Sequence, residues 1–197
     1  AAAVIEEGAA RELYYRLLDE DRGDPGICGG DMRIFVEPLV PRPLILIIGA
    51  GHVGLAVAEL ADFVGYRIAV LDERPELVTE ERFPWASTLL TGDVAEEVEA
   101  FDMDKHTYLV MVTPHHSMDE RILAAVAGRP VAYLGLIGSR RRTAHTFEQA
   151  RKAGVPEEVL KRVHSPIGLD IGAETPREIA VSVISEIIAV QRGHEVD

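Results

Sequence analysis

The sequence predicts an α/β protein with a doubly wound parallel sheet, preceded by a small α+β segment. Short runs of branched apolar residues alternate with helical segments from Leu44 onward, which is the pattern of strands joined by right-handed helical crossovers. A glycine-rich turn also follows the first of these strands directly and precedes a helix. The proline-rich stretch PLVPRP separates the two regions. We therefore predict a small domain over residues 1–40 and an α/β domain over residues 41–197.

Five strands are predicted in the α/β domain, because five short apolar runs are each bounded by polar residues or glycine. They lie at residues 44–48, 66–72, 86–90, 108–113 and 131–138. Helices are predicted to follow them, and the last begins where Thr175 and Glu178 form a capping box. Ser117 with Glu120 is predicted to cap the helix after the fourth strand in the same way, and Ser139 the helix after the fifth.

The N-terminal segment is predicted to contain a helix over residues 4–20 and a strand over residues 32–36. The loop between them carries Cys28, the one cysteine of the chain, so neither an intrachain disulfide nor an all-cysteine zinc site can form. A reducing compartment, the cytoplasm, is the expected location. The two glycines after Cys28 would let a ligand approach its thiolate, whereas a small buried residue is the alternative interpretation.

The composition of the chain argues against several classes of function. The net charge of −13 argues against binding to nucleic acid or to an anionic membrane surface, since both need a basic face. No run of 18 apolar residues is present, so no membrane span is predicted. No serine elbow, HExxH motif or Walker lysine is found, and no catalytic residue is assigned. A small anionic ligand in a local basic pocket is compatible with this composition.

The motif GAGHVG, which starts at Gly49, is the strongest functional signal in the chain. It lies between a strand and a helix, as the phosphate-binding turn of a Rossmann-like fold does. Gly49 is expected to permit the tight turn, Gly51 to let a pyrophosphate approach the backbone, and Gly54 to let the helix pack closely on the strand. His52 would donate to a phosphate or stay exposed. Asp72 ends the second strand and is expected to bind a ribose diol, which disfavours NADP, with a solvated side chain as the alternative.

Thr113 ends the fourth predicted strand, and His115 and His116 follow it. All three are expected at the mouth of the same crevice. Contact with a bound ligand is the favoured interpretation, and simple exposure is the alternative. A metal site is disfavoured, because adjacent histidines rarely bind one ion.

The motif GSRRR begins at Gly138, the last residue of the fifth predicted strand, and places arginines at a helix N-terminus. Gly138, Ser139, Arg140 and Arg141 are therefore predicted to form a local anion site. Consecutive helical residues point about 100° apart, so only one or two of the arginines can face one ligand. A solvated basic face is the alternative. The long loop over residues 164–176 is a further functional candidate, or else a structured connector.

Five segments of the chain together resemble the XdhC/CoxI family, and the resemblance extends from about Gly26 to the C-terminus. They are ICGGDMRIFVEPL, LIIGAGHVG, VLDERPE, YLGLIGSRRR and HSPIGLDIGAETPREIAVSVISEIIAV. The resemblance implies an accessory protein that binds molybdenum cofactor, protects it during sulfuration and inserts it into a xanthine dehydrogenase-type hydroxylase. The family's longer N-terminal domain, with a Gly-Ser/Pro-Arg stretch and a run of glycines, is not found here. Residues 1–40 are therefore interpreted as a remnant of that domain.

By this resemblance the chain is expected to be a chaperone rather than an enzyme. It would hold molybdopterin or its dinucleotide through GAGHVG and present Cys28 to the molybdenum or to a transferable sulfur. A xanthine dehydrogenase-type hydroxylase is the expected client, with a cysteine desulfurase as a further partner. Two alternatives stay open: an NAD-dependent oxidoreductase that uses His115 or His116 as its base, and a regulatory module that senses NAD. The last helix carries a broad apolar stripe, which is also compatible with a homodimer. Its residues recur at four-residue spacing and are Ile179, Val183, Ile187, Ala180, Ile184 and Ile188.

Overall fold

The structure is a computed structural model that describes residues 4, 9–16, 31–39, 42–114 and 116–194, with the backbone alone at His116. The chain divides into two compact units, Ala1–Pro41 and Arg42–Asp197. The first unit contains a pair of antiparallel strands, and the second is an α/β domain.

The N-terminal unit contains two antiparallel strands, β1 (Arg11–Arg16) and β2 (Asp31–Val36). Strand β2 confirms the predicted strand of this unit. The helix predicted over residues 4–20 is wrong where β1 lies, because its tyrosines favour a strand and the partner strand satisfies the backbone. Tyr14 lies opposite Arg33, whose guanidinium carbon is 5.0 Å from the centre of the tyrosine ring. This pairing joins residues far apart in sequence, so the spacing of nearby leucines does not reveal it.

The C-terminal unit is built on a six-stranded parallel sheet with the strand order β5-β4-β3-β6-β7-β8. Its strands are β3 (Leu44–Ile48), β4 (Arg67–Asp72), β5 (Thr88–Thr91), β6 (Thr107–Met111), β7 (Tyr133–Leu136) and β8 (Val163–His164). The predicted doubly wound α/β fold is confirmed, with all five predicted strands present. Strand β8 was not predicted, because two residues carry no periodic signal. The chain order reverses between β3 and β6, which is the switch point where sheets of this type bind ligands.

Six helices flank the sheet in the described part of this unit. They are α1 (His52–Phe63), α2 (Val94–Ala100), α3 (His116–Ala125), α4 (Arg140–Lys152), α5 (Glu157–Lys161) and α6 (Pro176–Gln191). Two predicted caps are confirmed: Ser139 accepts the Arg142 N–H at the start of α4, and Thr175 and Glu178 form the capping box of α6. The box predicted at Ser117 is wrong, because α3 begins one residue earlier and Ser117 lies inside its first turn. None of these helices is both long enough and apolar enough to cross a bilayer.

The sheet carries an apolar layer on each face. Alternate residues of β3 point to opposite faces, with Leu46 and Ile48 in one layer and Ile45 and Ile47 in the other. Helices α2 to α5 cover the first layer, and α1 and α6 cover the second. The apolar stripe of α6 therefore packs on the sheet, beside α1. This packing brings the carboxyl ends of β3 and β6 and the N-terminus of α1 to one edge of the unit.

Candidate functional site

The GAGHVG turn is shaped by two glycines that leave no room for a side chain. Gly49 has a φ of +115°, and a Cβ at this position would lie 2.6 Å from the carbonyl oxygen of Val112, just after β6. A Cβ on Gly54 would lie 1.9 Å from the carbonyl oxygen of Gly49. The turn is therefore held against β6 on one side and against the first turn of α1 on the other.

The start of α1 is open. Gly51 is its N-cap residue, no side chain caps the helix, and a Cβ on Gly51 would meet no atom within 4 Å. Among the described residues, no hydrogen bond uses the N–H of Gly51 or of His52. The first N–H groups of a helix lack intrahelical partners and carry partial positive charge, so this end of α1 suits an anion such as a phosphate. The geometry is compatible with the predicted ligand, and binding itself stays a prediction.

The His52 side chain is exposed beside this opening. It lines a cavity of about 440 Å³ between the first turns of α1 and α6, where Arg177 and Thr175 form part of the opposite wall. Because the imidazole is exposed, it is accessible to a ligand that enters this cavity from solvent. Its predicted role as a phosphate donor stays a prediction.

Asp72 ends β4 beside the turn, but its carboxylate already accepts a full set of hydrogen bonds. Oδ2 accepts from the Ala50 N–H and from Nη2 of Arg74, both at 2.7 Å. Oδ1 accepts from the Arg74 N–H at 3.0 Å and from Arg74 Nε at 2.8 Å. A carboxylate offers about four lone-pair sites, so a ribose hydroxyl would have to displace one of these donors. In this structure Asp72 ties Arg74 to the glycine-rich turn, and its contact with a ribose stays a prediction.

The stability of the chain is expected to depend on pH through Asp72. Burial by itself raises the pKa of this carboxyl, but the hydrogen bonds from Arg74 and Ala50 outweigh burial and lower the pKa below its ordinary value of 3.8. The unfolded chain therefore takes up this proton at a higher pH than the folded chain does. The stabilisation is complete well above pH 3.8 and is lost as the pH falls through the folded-state pKa.

Asp72→Asn should consequently lower the free energy of unfolding near neutral pH. In acid, the variant and the unmodified chain should have more similar free energies of unfolding. Urea unfolding of both chains at a series of pH values measures this difference. A difference that stays constant from neutral pH into the acid range would contradict the assigned role of Asp72.

The residues after β6 belong to a buried ion-pair cluster. Thr113 is buried, and its hydroxyl donates to Oδ1 of Asp119 on α3. Arg142, on α4, donates from Nη2 to Oδ2 of Asp119 at 2.9 Å and to the carbonyl oxygen of Thr113 at 3.2 Å. The Asp119 side chain has 0% exposure, so the ion pair joins α3, α4 and the end of β6 inside the protein. Thr113 contributes to this packing, and its predicted ligand contact stays a prediction.

The three arginines of GSRRR occupy three different environments. Arg140 lines a cavity at the ends of β7 and β8, Arg141 is exposed, and Arg142 turns inward to the buried ion pair. Gly138 lines the same cavity as Arg140, and Ser139 is the N-cap of α4. Arg142 was not assigned to the anion site from the sequence, and in the structure it pairs with Asp119. The anion site itself stays a prediction. Helix geometry requires the three side chains to diverge, but the packing of α3 against α4 decides which one is buried.

Two predicted site residues, Cys28 and His115, lie outside the described residues, and of His116 only the backbone is described, as the first residue of α3. Their roles stay predictions. Across the described ranges, no group of three His, Cys, Asp or Glu side chains is placed to hold a metal ion.

A third buried carboxylate, Glu186 on α6, lines the cavity at the ends of β7 and β8. It accepts hydrogen bonds from the Tyr133 hydroxyl and from the Gly168 N–H, the latter at 2.9 Å. Nδ1 of His164 is 3.4 Å from its other oxygen, and the His164 ring stacks on Tyr133 with 4.6 Å between ring centres. These groups form one polar cluster that joins β7, β8 and α6.

The charge state of Glu186 follows from its partners. Burial by itself raises the pKa of Glu186, but His164, Tyr133 and Gly168 outweigh it and hold the pKa below its ordinary value. Burial, with the adjacent carboxylate, raises the pKa of Tyr133, so the phenol stays a donor. Sequence reasoning missed this cluster. The available signal was a single acidic residue within the apolar stripe of the last helix.

The parallel sheet, the glycine-rich turn and the open N-terminus of α1 define a Rossmann-type domain. Residues 45–187 match the family model of the XdhC Rossmann domain. The chain therefore belongs to the XdhC family, which confirms the resemblance that the five sequence segments carry.

Two relatives and one solved structure are similar over most of this chain. The uncharacterized protein YqeB of Escherichia coli (strain K12) is 41% identical over 167 residues, which are 84% of this chain and 30% of that protein. A probable xanthine dehydrogenase subunit of Bacillus subtilis (strain 168) is 33% identical over 159 residues, which are 81% of this chain and 46% of that protein. The crystal structure of a xanthine dehydrogenase from Bacillus halodurans shares the fold, with a TM-score of 0.70 and 21% identity over 98% of this chain and 79% of that one. The chain thus spans less than half the length of the two sequence relatives.

Proposed function

We propose that this chain is part of an accessory protein that matures xanthine dehydrogenase-type hydroxylases. Membership of the XdhC family supports the proposal, and the Bacillus subtilis relative is named as a probable subunit of xanthine dehydrogenase. In its finer form, the proposal is that the chain binds molybdenum cofactor, protects it during sulfuration and delivers it to the client enzyme. The molybdenum is cargo in this scheme and does its chemistry in the client.

The observation that carries the cofactor site is the open N-terminus of α1 at Gly51. Molybdopterin carries a phosphate and its dinucleotide forms carry a pyrophosphate, so both present an anion that the helix N–H groups and dipole would hold. Gly51 leaves a space there that a Cβ would fill. Because the chain has a net charge of −13, an anion must be held by such local donors rather than by the overall field.

The transfer involves partners as well as this chain. A xanthine dehydrogenase-type hydroxylase receives the cofactor, and a cysteine desulfurase supplies the sulfur. The acidic surface would select a client with a basic docking face. Cys28 is the candidate contact to molybdenum or to sulfur, since thiolates are soft ligands.

Calorimetry with molybdopterin, its cytosine dinucleotide and NAD tests the proposal. We expect the unmodified chain to bind a pterin form and Gly51→Ala to weaken that binding by about tenfold or more, because the new Cβ occupies the place of the phosphate. The variant should keep its stability. Gly51 has a φ of −71° and a ψ of −165°, which alanine adopts, and the added Cβ meets no protein atom within 4 Å.

The other outcomes separate the competing functions. Equal pterin affinity in the unmodified chain and in Gly51→Ala would show that the turn is not part of the binding site. Tight NAD binding without pterin binding would favour the NAD-sensing module, and hydride transfer between NAD and an added substrate would favour the oxidoreductase. Because Arg74 and Ala50 already occupy the Asp72 carboxylate, a pterin form is the expected ligand.

A further inference from the structure

A cavity of about 730 Å³ opens at the carboxyl ends of β7 and β8. One wall is the segment after β7, with Ile137 and Arg140, and the other is the loop that runs from His164 to Ala173. Parallel strands end at a common edge of their sheet, so this cavity and the GAGHVG turn lie along the same edge. Strand β7 is two strands away from β3, or about 10 Å at the usual strand spacing.

The two sides of the GAGHVG turn differ in what they offer a ligand. On the β4 side, the Arg74 guanidinium donates two hydrogen bonds to the Asp72 carboxylate. Asp72 also accepts a hydrogen bond from the Ala50 N–H. On the β7 side, the cavity provides open volume. A ligand with its phosphate at Gly51 would leave these hydrogen bonds intact if it extended towards β7 and β8.

His164 is held in one orientation in the wall of this cavity. Its Nδ1 lies 3.4 Å from Glu186, and its ring stacks on Tyr133. Because Glu186 contacts Nδ1, Nε2 is the ring nitrogen through which His164 would contact a ligand in this cavity. Ile167 and Ile179 add apolar wall to the same cavity. Apolar walls with a few oriented polar groups are typical of sites for planar heterocycles.

We infer that this cavity receives the ring-bearing end of the phosphorylated heterocycle whose phosphate binds at GAGHVG, with His164 as a ligand-contacting residue. The inference rests on the proposed function, since it takes the phosphate site at Gly51 as its starting point. It adds the direction in which the ligand lies along the sheet edge and the residues that meet its ring.

The test compares molybdopterin affinity among variants of the full chain. Ala173→Trp fills the cavity from its wall, and His164→Phe removes the ring nitrogens while keeping an aromatic ring against Tyr133. His106→Phe is the matched control, because His106 directly precedes β6 and therefore lies at the opposite edge of the sheet. We expect Ala173→Trp to weaken binding by about tenfold or more, His164→Phe by about fivefold, and His106→Phe by less than about twofold.

Nuclear magnetic resonance supplies a readout that does not depend on how well a variant folds. In the unmodified chain, the imidazole resonances of His164 should shift on saturation with molybdopterin, and those of His106 should stay unchanged. Urea unfolding of each variant then separates lost binding from lost folding.

The possible results distinguish the two proposals. If Ala173→Trp and His164→Phe bind like the unmodified chain while Gly51→Ala does not, the phosphate site holds and the inference about the cavity is overturned. Unshifted His164 resonances in the saturated complex overturn it too. If the unmodified chain binds no molybdopterin at all, the proposed function fails and this inference fails with it.

Discussion

Gly54→Ala is expected to lower the free energy of unfolding by about 3 kcal/mol or more. The new Cβ would lie 1.9 Å from the carbonyl oxygen of Gly49 and 3.3 Å from the Ile47 side chain. The oxygen belongs to the backbone, and Gly49 is itself packed tightly against Val112, so the turn cannot retreat. Helix α1 would have to move away from β3, which opens the apolar layer between them. Since a domain is stable by only about 5–15 kcal/mol, the effect is large.

Urea unfolding measures this loss as a lower midpoint at an unchanged slope. Gly51→Ala is the matched control, because it makes the same change in the same motif where a Cβ meets no atom within 4 Å. Its free energy of unfolding should stay within about 0.5 kcal/mol of the unmodified chain. A Gly54→Ala chain as stable as this control would contradict the close packing of α1 on the turn.

Arg142→Ala is expected to lower the free energy of unfolding by about 3 kcal/mol, since it removes a cationic partner of a fully buried carboxylate. Asp119 would stay in the interior without its guanidinium, and the carbonyl oxygen of Thr113 would lose the same donor. The contacts between α3, α4 and the end of β6 would weaken together. Thermal or urea unfolding of the purified variant measures the loss.

The chain supplies its own controls for this prediction in Arg140 and Arg141. Both side chains lie on exposed residues of the same helical turn, so replacement by alanine changes helix propensity equally and removes the same charge. Each should change stability by no more than about 0.5 kcal/mol. Equal losses at all three positions would show that the helix N-terminus, rather than the buried ion pair, is responsible.

Local sequence pattern was sufficient for the architecture of the C-terminal unit and for the position of its turn. Runs such as LILII alternate with helical segments, and the handedness of crossovers then dictates a parallel, doubly wound sheet. The caps at Ser139 and Thr175 were predictable for the same reason, since capping acts over three or four residues. The cap at Ser117 failed by one residue, which is the usual uncertainty at a helix end.

In the candidate site too, features set by residues close in sequence were predicted, and features set by contacts across the fold were not. GAGHVG identified the open N-terminus of α1, because the turn and its donors are close in sequence. Arg74 as partner of Asp72, Arg142 as the inward arginine, and the cluster around Glu186 were not predicted. Each of these depends on which polar groups share a buried position after folding.

The sequence by itself determined the α/β class, the place of the glycine-rich turn and the family. Only the tertiary structure decided that residues 11–16 form a strand, that Asp72 accepts hydrogen bonds from Ala50 and Arg74, and that His164 and Glu186 pair in the lining of a cavity. The physical reason is that a buried charge must find its partner wherever packing places one. Contacts across the fold leave no periodic signal along the chain, whereas helices, strands and turns do.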